Sequence, residues 1–185
     1  TSMSDTAATL AANLGGYVSG DKNVTVTDAA TLAQLTTING LSTGTLSYTS
    51  VSDTAANLAA NAEGYVTGEV NVTVTDAATL AQLATIAGLT TGTLSYTSVS
   101  DTAANLFTNT GAYVAAGKNV TVTDPATVAE LTAIDAANTN GTLSYTSVSD
   151  TAANLAASAG AYVAAGKNVT VTGAATVAQL TAIDA

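Results

Sequence analysis

The chain has 185 residues, 47% hydrophobic but only 4% aromatic, with thirteen carboxylates against three lysines for a net charge of −10. Such an acidic surface is mismatched to a phosphate backbone, so no nucleic-acid partner is expected. No apolar run approaches the ~20 residues of a membrane-crossing helix, so no membrane insertion is expected either.

Three fourteen-residue stretches, Thr45–Leu58, Thr93–Leu106 and Thr142–Leu155, all read TLSYTSVSDTAANL. Asp5, Asp53, Asp101 and Asp150 recur at intervals of 48, 48 and 49 residues, as do Asn23, Asn71, Asn119 and Asn168. A period of this size marks a stacked architecture in which each unit buries its apolar face against its neighbours. One elongated tandem-repeat body over 1–185 is predicted, with repeats at about 1–48, 49–96, 97–145 and 146–185. Thr1–Asp5 matches Thr49–Asp53 and Ile183–Ala185 matches Ile134–Ala136, so the chain opens and closes inside a repeat. The expectation is a piece of a longer array, or a protomer whose ends stack on others, with no signal peptide in the given residues. Covalent continuation would need nine more residues equivalent to Ala137–Tyr145.

Each period divides into two halves of about 24 residues. Taken through the second period, Asn71–Asp76 alternates Val and Thr and reads as a strand. Ala77–Ile86 then reads as a helix with Leu80, Leu83 and Ile86 on one stripe and Asp76 as its N-cap. In the third period the same place holds Asp124-Pro125, and proline suits a first helical position. Gly88, or the pair Thr91-Gly92, ends the helix. In the second half Thr93–Asp101 reads as a strand, and a helix begins at Thr102–Leu106, capped by Asp101 or Thr102. Its apolar stripe runs on to Tyr113 and Val114, with Gly111 and Gly117 closing it. Strands alternating with helices at this spacing imply right-handed crossovers and a parallel sheet. The predicted fold is therefore an α/β solenoid, with an all-β solenoid as the alternative. Placing Val51 inward turns Leu46 and Tyr48 outward, and a bulge between Tyr48 and Val51 is expected to restore them.

Catalysis finds little to work with. There is no His, Cys, Trp or Arg, so common bases, thiol nucleophiles and guanidinium clamps are missing. A recurring side chain also gives a row of equivalent positions, where an active site needs one asymmetric cluster. No enzyme activity is expected.

The sharpest motif is the aspartate ladder of Asp5, Asp53, Asp101 and Asp150, with Asp28, Asp76 and Asp124 in alternate coils. Two readings stand: stacked carboxylates share hard oxygen ligands for calcium, or each caps a helix. Helix capping is preferred, since no DxDxDG or GGxGxD loop occurs and Gly173 interrupts the row. The rows Thr25/Thr27, Thr73/Thr75, Thr121/Thr123 and Thr170/Thr172, interleaved with Ser50/Ser52, Ser98/Ser100 and Ser147/Ser149, form a hydroxyl face. It reads as a solvated sheet face, with ice or glycan binding and lateral packing of identical rods as its alternatives. The five Asn-x-Thr sequons, at Asn23, Asn71, Asn119, Asn140 and Asn168, fit a glycosylation pattern; turn residues are the preferred reading. The tyrosines, in the series Tyr17, Tyr65, Tyr113, Tyr162 and Tyr48, Tyr96, Tyr145, are expected in the core.

The phrases SDTAANL (Ser52–Leu58, Ser100–Leu106, Ser149–Leu155) and NVTVTDAATLAQL (Asn23–Leu35, Asn71–Leu83) resemble the repeats of very large cell-surface and type I-secreted proteins of cyanobacteria and proteobacteria. The resemblance covers essentially the whole chain. It implies an extracellular or cell-surface location and a structural or adhesive role that involves calcium. An acidic, lysine-poor chain agrees with a secreted, cation-rich setting. The leading expectation is a non-enzymatic segment that builds a fibre, surface layer or adhesin stalk by self-association. The alternative is a binding scaffold for calcium-dependent adhesion, glycan or ice.

Overall fold

The computed structural model describes residues 1–158 and 160–185. The chain divides into two compact units, Thr1–Thr97 and Ser98–Ala185. In the first, β1 (Ser2–Asp5), α1 (Ala7–Ala12), β2 (Asn23–Val26), α2 (Leu32–Leu41) and β3 (Leu46–Ser47) are followed by β4 (Ser50–Asp53), α3 (Ala55–Ala60), β5 (Asn71–Val74), α4 (Leu80–Leu89) and β6 (Leu94–Ser95). Two parallel three-stranded sheets result, β1-β2-β3 and β4-β5-β6. The second unit repeats the plan with β7 (Ser98–Asp101), α5 (Ala103–Thr108), β8 (Asn119–Val122), α6 (Val128–Ala137), β9 (Leu143–Ser144), β10 (Ser147–Thr151), α7 (Ala152–Ala157), β11 (Asn168–Thr172) and α8 (Val177–Asp184). Its sheets are β7-β8-β9 and β10-β11, again parallel. Parallel neighbours need a crossover, and each crossover here holds one helix. This is an α/β strand-helix repeat, and helices in every period rule out the all-β alternative.

Two kinds of coil alternate. One carries a six-residue helix (α1, α3, α5, α7), the other an eight- or ten-residue helix (α2, α4, α6, α8). Within each unit the short helix packs beside the long helix of the next coil. The core lies between strands and helices and is built of small aliphatics. In the first unit it comprises Val24, Val26, Ala30, Leu35, Ile38, Val51, Leu58, Val72, Leu83 and Ile86 among others, all nearly inaccessible. Each buried Leu or Ile contributes about 1.5–3 kcal/mol by leaving water. The strand alternation is as the sequence predicts: Val24 and Val26 point inward, Thr25 and Thr27 outward.

Several boundaries differ from the sequence reading. Helix α4 starts at Leu80 rather than Ala77, because Thr79 is its N-cap and forms a capping box with Gln82. Asp76 is therefore not the cap of its own helix. Pro125 lies three residues ahead of α6, whose cap is Thr127. Gly88 lies inside α4, which ends at an extended Thr90. The short helix is capped by Thr102 and stops at Asn109, in the left-handed conformation with φ 46°. Asn109 Nδ2 then donates to the Val114 carbonyl and its Oδ1 accepts from the Val114 N–H, so Tyr113 and Val114 sit in a loop rather than on the helix. Asn accepts positive φ because its short polar side chain bonds locally.

The TLSYTSVSD stretch is two strands, not one. In the first unit it breaks at Tyr48–Thr49, between β3 and β4. Leu46 and Tyr48 are half-buried before the break, Val51 and Asp53 buried after it. The interruption resets the side-chain parity, the effect expected of a bulge. β3 pairs back onto β2, while β4 pairs forward onto β5 and also meets Ala30 behind it through Val51.

Candidate functional site: the aspartate ladder

Each ladder aspartate lies at or just beyond the end of its strand, and the carboxylates of Asp28, Asp53, Asp76, Asp124 and Asp150 reach the coil behind. Asp53 Oδ1 accepts from the Thr54 N–H (2.8 Å) and from Asn57 Nδ2 (2.8 Å). Its Oδ2 accepts from the Leu32 N–H at 3.0 Å, 21 residues earlier, at the first turn of α2. Asp150 repeats this with Thr151, Asn154 and Val128 at 2.7, 2.8 and 3.0 Å. Asp101 Oδ1 accepts from Thr102 and Asn105, each at 2.8 Å. The alternate series works the same way: Asp28, Asp76 and Asp124 accept from the N–H groups of Ala7, Ala55 and Ala103, each at 2.7 Å. The first N–H groups of a helix lack intrahelical partners. A threonine on the same coil satisfies one of them, and an aspartate from the next coil satisfies another.

The capping reading therefore takes a specific form. The threonines are the N-caps, and the aspartates cap helices of neighbouring coils. Gly173 stands at the place of Asp28, Asp76 and Asp124 and adopts φ 82°.

Burial works to raise the Asp53 pKa, but the hydrogen bonds from Asn57, Thr54 and Leu32 outweigh it and hold the carboxyl below its ordinary value. Asp150 is depressed in the same way against the same burial, by Asn154, Thr151 and Val128. Asp5 is exposed and accepts from the Thr6 N–H at 2.7 Å.

The four aspartates proposed as calcium ligands, Asp5, Asp53, Asp101 and Asp150, sit at equivalent points of successive periods. Among the described residues no group of three or more His, Cys, Asp or Glu side chains is placed to hold a metal ion. Both oxygens of Asp53 and of Asp150 already accept from protein donors.

A second structural row escaped the sequence reading. Ser42, Thr90 and Asn138 occupy the same place at the end of the long helix and are buried. The Ser42 hydroxyl donates toward the Gly20 and Lys22 carbonyls (3.0 and 2.6 Å) and accepts from the Gly44 N–H (3.1 Å). Thr90 does the same with Gly68, Val70 and Gly92. Asn138, one atom longer, reaches the Lys118 and Thr142 carbonyls. The signal was present, since a polar residue recurs two or three residues ahead of a periodic glycine (Gly44, Gly92, Gly141), but a hydroxyl there looks like any loop residue.

The remaining candidates are placed as follows. Of the expected hydroxyl face, Thr25, Thr27 and Thr73 are exposed, whereas Ser50, Ser52, Ser98, Ser100, Ser147 and Ser149 are half-buried, Ser52 in register with Thr73; an exposed row in register is made instead by Ser4, Thr25 and Ser47. Asn23 and Asn71 are strand residues rather than turn residues, and their Oδ1 atoms accept from the Thr45 and Thr93 N–H groups at 2.9 Å. The tyrosines line the margin and not the centre of the core. Tyr48 and Tyr65 meet edge to face at 6.1 Å, and Tyr48 donates to the Tyr65 carbonyl. Tyr145 and Tyr162 pair likewise, with Lys167 Nζ 4.1 Å from the Tyr145 ring centre. Burial, then the neighbouring Tyr65, raises the Tyr48 pKa.

The ladder gathers backbone donors and amide side chains around carboxylates. Its chemistry is adhesion between successive coils. Compared with protein-family models, curated proteins and solved structures, the chain has no match in any of the three.

Proposed function

We propose that this chain is a structural repeat segment of an extracellular or cell-surface protein, building a fibre, surface layer or adhesin stalk as a solenoid of stacked coils. One observation carries the reading: the recurring aspartates use their carboxylates to bind the backbone of the adjacent coil. A side chain repeated for that purpose makes an array extendable, because every added coil brings the cap for the one before it. The acidic, lysine-poor composition and the resemblance of SDTAANL and NVTVTDAATLAQL to bacterial surface repeats support the location. The role needs no catalytic group and no cofactor.

The binding-scaffold reading draws on the exposed, in-register row of Ser4, Thr25 and Ser47. Its repetition favours a regular, lattice-like partner over a globular one.

Negative-stain electron microscopy of the purified chain, in millimolar calcium and in chelator, tests the proposal. Elongated particles or filaments under both conditions are expected. Their loss in chelator would reassign the aspartates as metal ligands, and compact, unassociated particles in both would overturn the stacking role.

A further inference from the structure

We infer that each repeat period is a module joined to the next by a clasp that opens as one event, at Tyr48–Thr49 in the first compact unit and at Tyr145–Thr146 in the second. Sheet and helix layer both part at these points. In the sheet, β3 pairs back onto β2 and β4 forward onto β5. In the same way β9 pairs back onto β8 and β10 forward onto β11. In the helix layer α1 packs beside α2 and α3 beside α4. Between α2 and α3 lies a cleft of about 300 Å³, lined by Leu32, Thr36, Asn57 and Ala60 among others. The division of the chain into compact units falls at Thr97–Ser98, which matches Thr49–Ser50 one period earlier.

The bonds that cross each joint are few and repeat exactly in kind. In the first, the Ala30 N–H donates to the Ser50 carbonyl (3.3 Å), the Ser52 N–H to the Ala30 carbonyl (2.8 Å), and the Leu32 N–H to Asp53 Oδ2 (3.0 Å). In the second, the N–H groups of Ala126, Ser149 and Val128 donate to the Ser147 carbonyl, the Ala126 carbonyl and Asp150 Oδ2 at 3.2, 2.9 and 3.0 Å. A tyrosine closes the clasp from the last residues of one period. Tyr48 Oη donates to the Tyr65 carbonyl at 2.9 Å, and Tyr145 Oη to the Tyr162 carbonyl at 3.0 Å. Beneath them Ala30 and Val51, and Ala126 and Val148, are 0% exposed. Their burial keeps the joint shut at rest, and opening brings that apolar surface into water.

The two clasps differ at one position. Lys167 Nζ reaches back across the second joint to the Tyr145 carbonyl (2.7 Å) and lies 4.1 Å from the centre of that ring. In the first joint the equivalent residue is Val70, which carries no donor to offer Tyr48. A charge-assisted hydrogen bond and a cation–π contact therefore strengthen the second clasp over the first. The first joint opens before the second. In the proposed stalk, length would then be released one period at a time and in a set order.

Native-state hydrogen exchange resolved by residue tests this, with urea raised below the unfolding transition. The N–H groups of Ala30, Leu32 and Ser52 are expected to share one opening free energy and one urea slope, as the exposure of a common surface requires. Their opening should precede that of Val72 and Val120, whose N–H groups bond within a period to the Thr93 and Thr142 carbonyls. Ala126, Val128 and Ser149 should behave as a second set, more protected than the first. Lys167→Met is expected to raise exchange in the second set roughly tenfold, and Val70→Lys to slow the first, each leaving the other set unchanged. Circular dichroism of each variant verifies the fold. Joint amides that open only together with Val72 and Val120, or that exchange without a urea slope, overturn the modular joint. Sets that do not respond to Lys167→Met and Val70→Lys overturn the ranking of the clasps. Neither result depends on association between copies, which microscopy reads separately.

Discussion

Asp53 illustrates how a residue type legible in the sequence takes its meaning from a partner far along the chain. From the sequence it is an aspartate between a strand and a helix, where a cap is the ordinary expectation. In the fold, Thr54 caps that helix, and Asp53 bonds Leu32 on the coil behind while Asn57 and the Thr54 N–H hold its other oxygen. Asp53→Ala leaves the Leu32 N–H without its acceptor and is expected to cost about 1–3 kcal/mol, read from the urea midpoint. The pH dependence follows with a definite sign. The folded pKa of Asp53 and Asp150 lies below the unfolded one. Their contribution is therefore complete above the ordinary carboxylate value of 3.8 and is lost as pH falls through the depressed folded value. Stability should drop on acidification below about pH 4, and less steeply in Asp53→Ala/Asp150→Ala. An equal slope in wild type and variant would refute the role given to these carboxylates.

Elements were legible where a period carried them and blurred where a contact did. The Val-Thr alternation of Asn71–Val74 and the Leu80, Leu83, Ile86 stripe located a strand and a helix correctly, yet both ends of α4 lie three residues later than the pattern implies. The reason is the Thr79–Gln82 capping box, which competes with Asp76 for the role of start signal. The turn from α4 into β6 depends on backbone proximity that no periodicity encodes. Gly92 passes so close to the Val70 and Glu69 carbonyls that a Cβ there would strike backbone, while Thr90 beside it bonds the Gly68 and Val70 carbonyls. Gly92→Ala must push β5 and this turn apart and is expected to destabilise by about 1–3 kcal/mol. Gly88→Ala, inside the helix with open space around it, should instead be neutral or stabilising. Thermal unfolding of the two variants separates these effects, and equal melting temperatures would contradict the assignment of Gly92 to a close approach.

For the chain as a whole, charge and architecture pull in opposite directions. Thirteen carboxylates and three lysines leave every copy strongly negative, and like-charged copies repel. The contacts that join successive coils, on which the proposed stacking of copies would also draw, are short-range: backbone bonds, a carboxylate to an N–H, and aliphatic burial. Added salt screens the first without removing the second. Association measured by sedimentation should therefore strengthen between 20 and 300 mM sodium chloride. Weakening over that range would indicate joints made of ion pairs instead.

Repetition, strand-helix alternation, parallel pairing and the Val-in, hydroxyl-out faces were all determined by the sequence alone. Each is a consequence of periodic local pattern, which a linear chain displays directly. The tertiary structure decided the rest: which coil each aspartate caps, why Ser42, Thr90 and Asn138 are buried, how Tyr48–Thr49 splits one apparent strand into two, and why the tyrosines stay at the margin. These depend on which donors and carbonyls arrive within about 3 Å of a side chain from some 20 residues away, a matter of where the crossover brings the chain back.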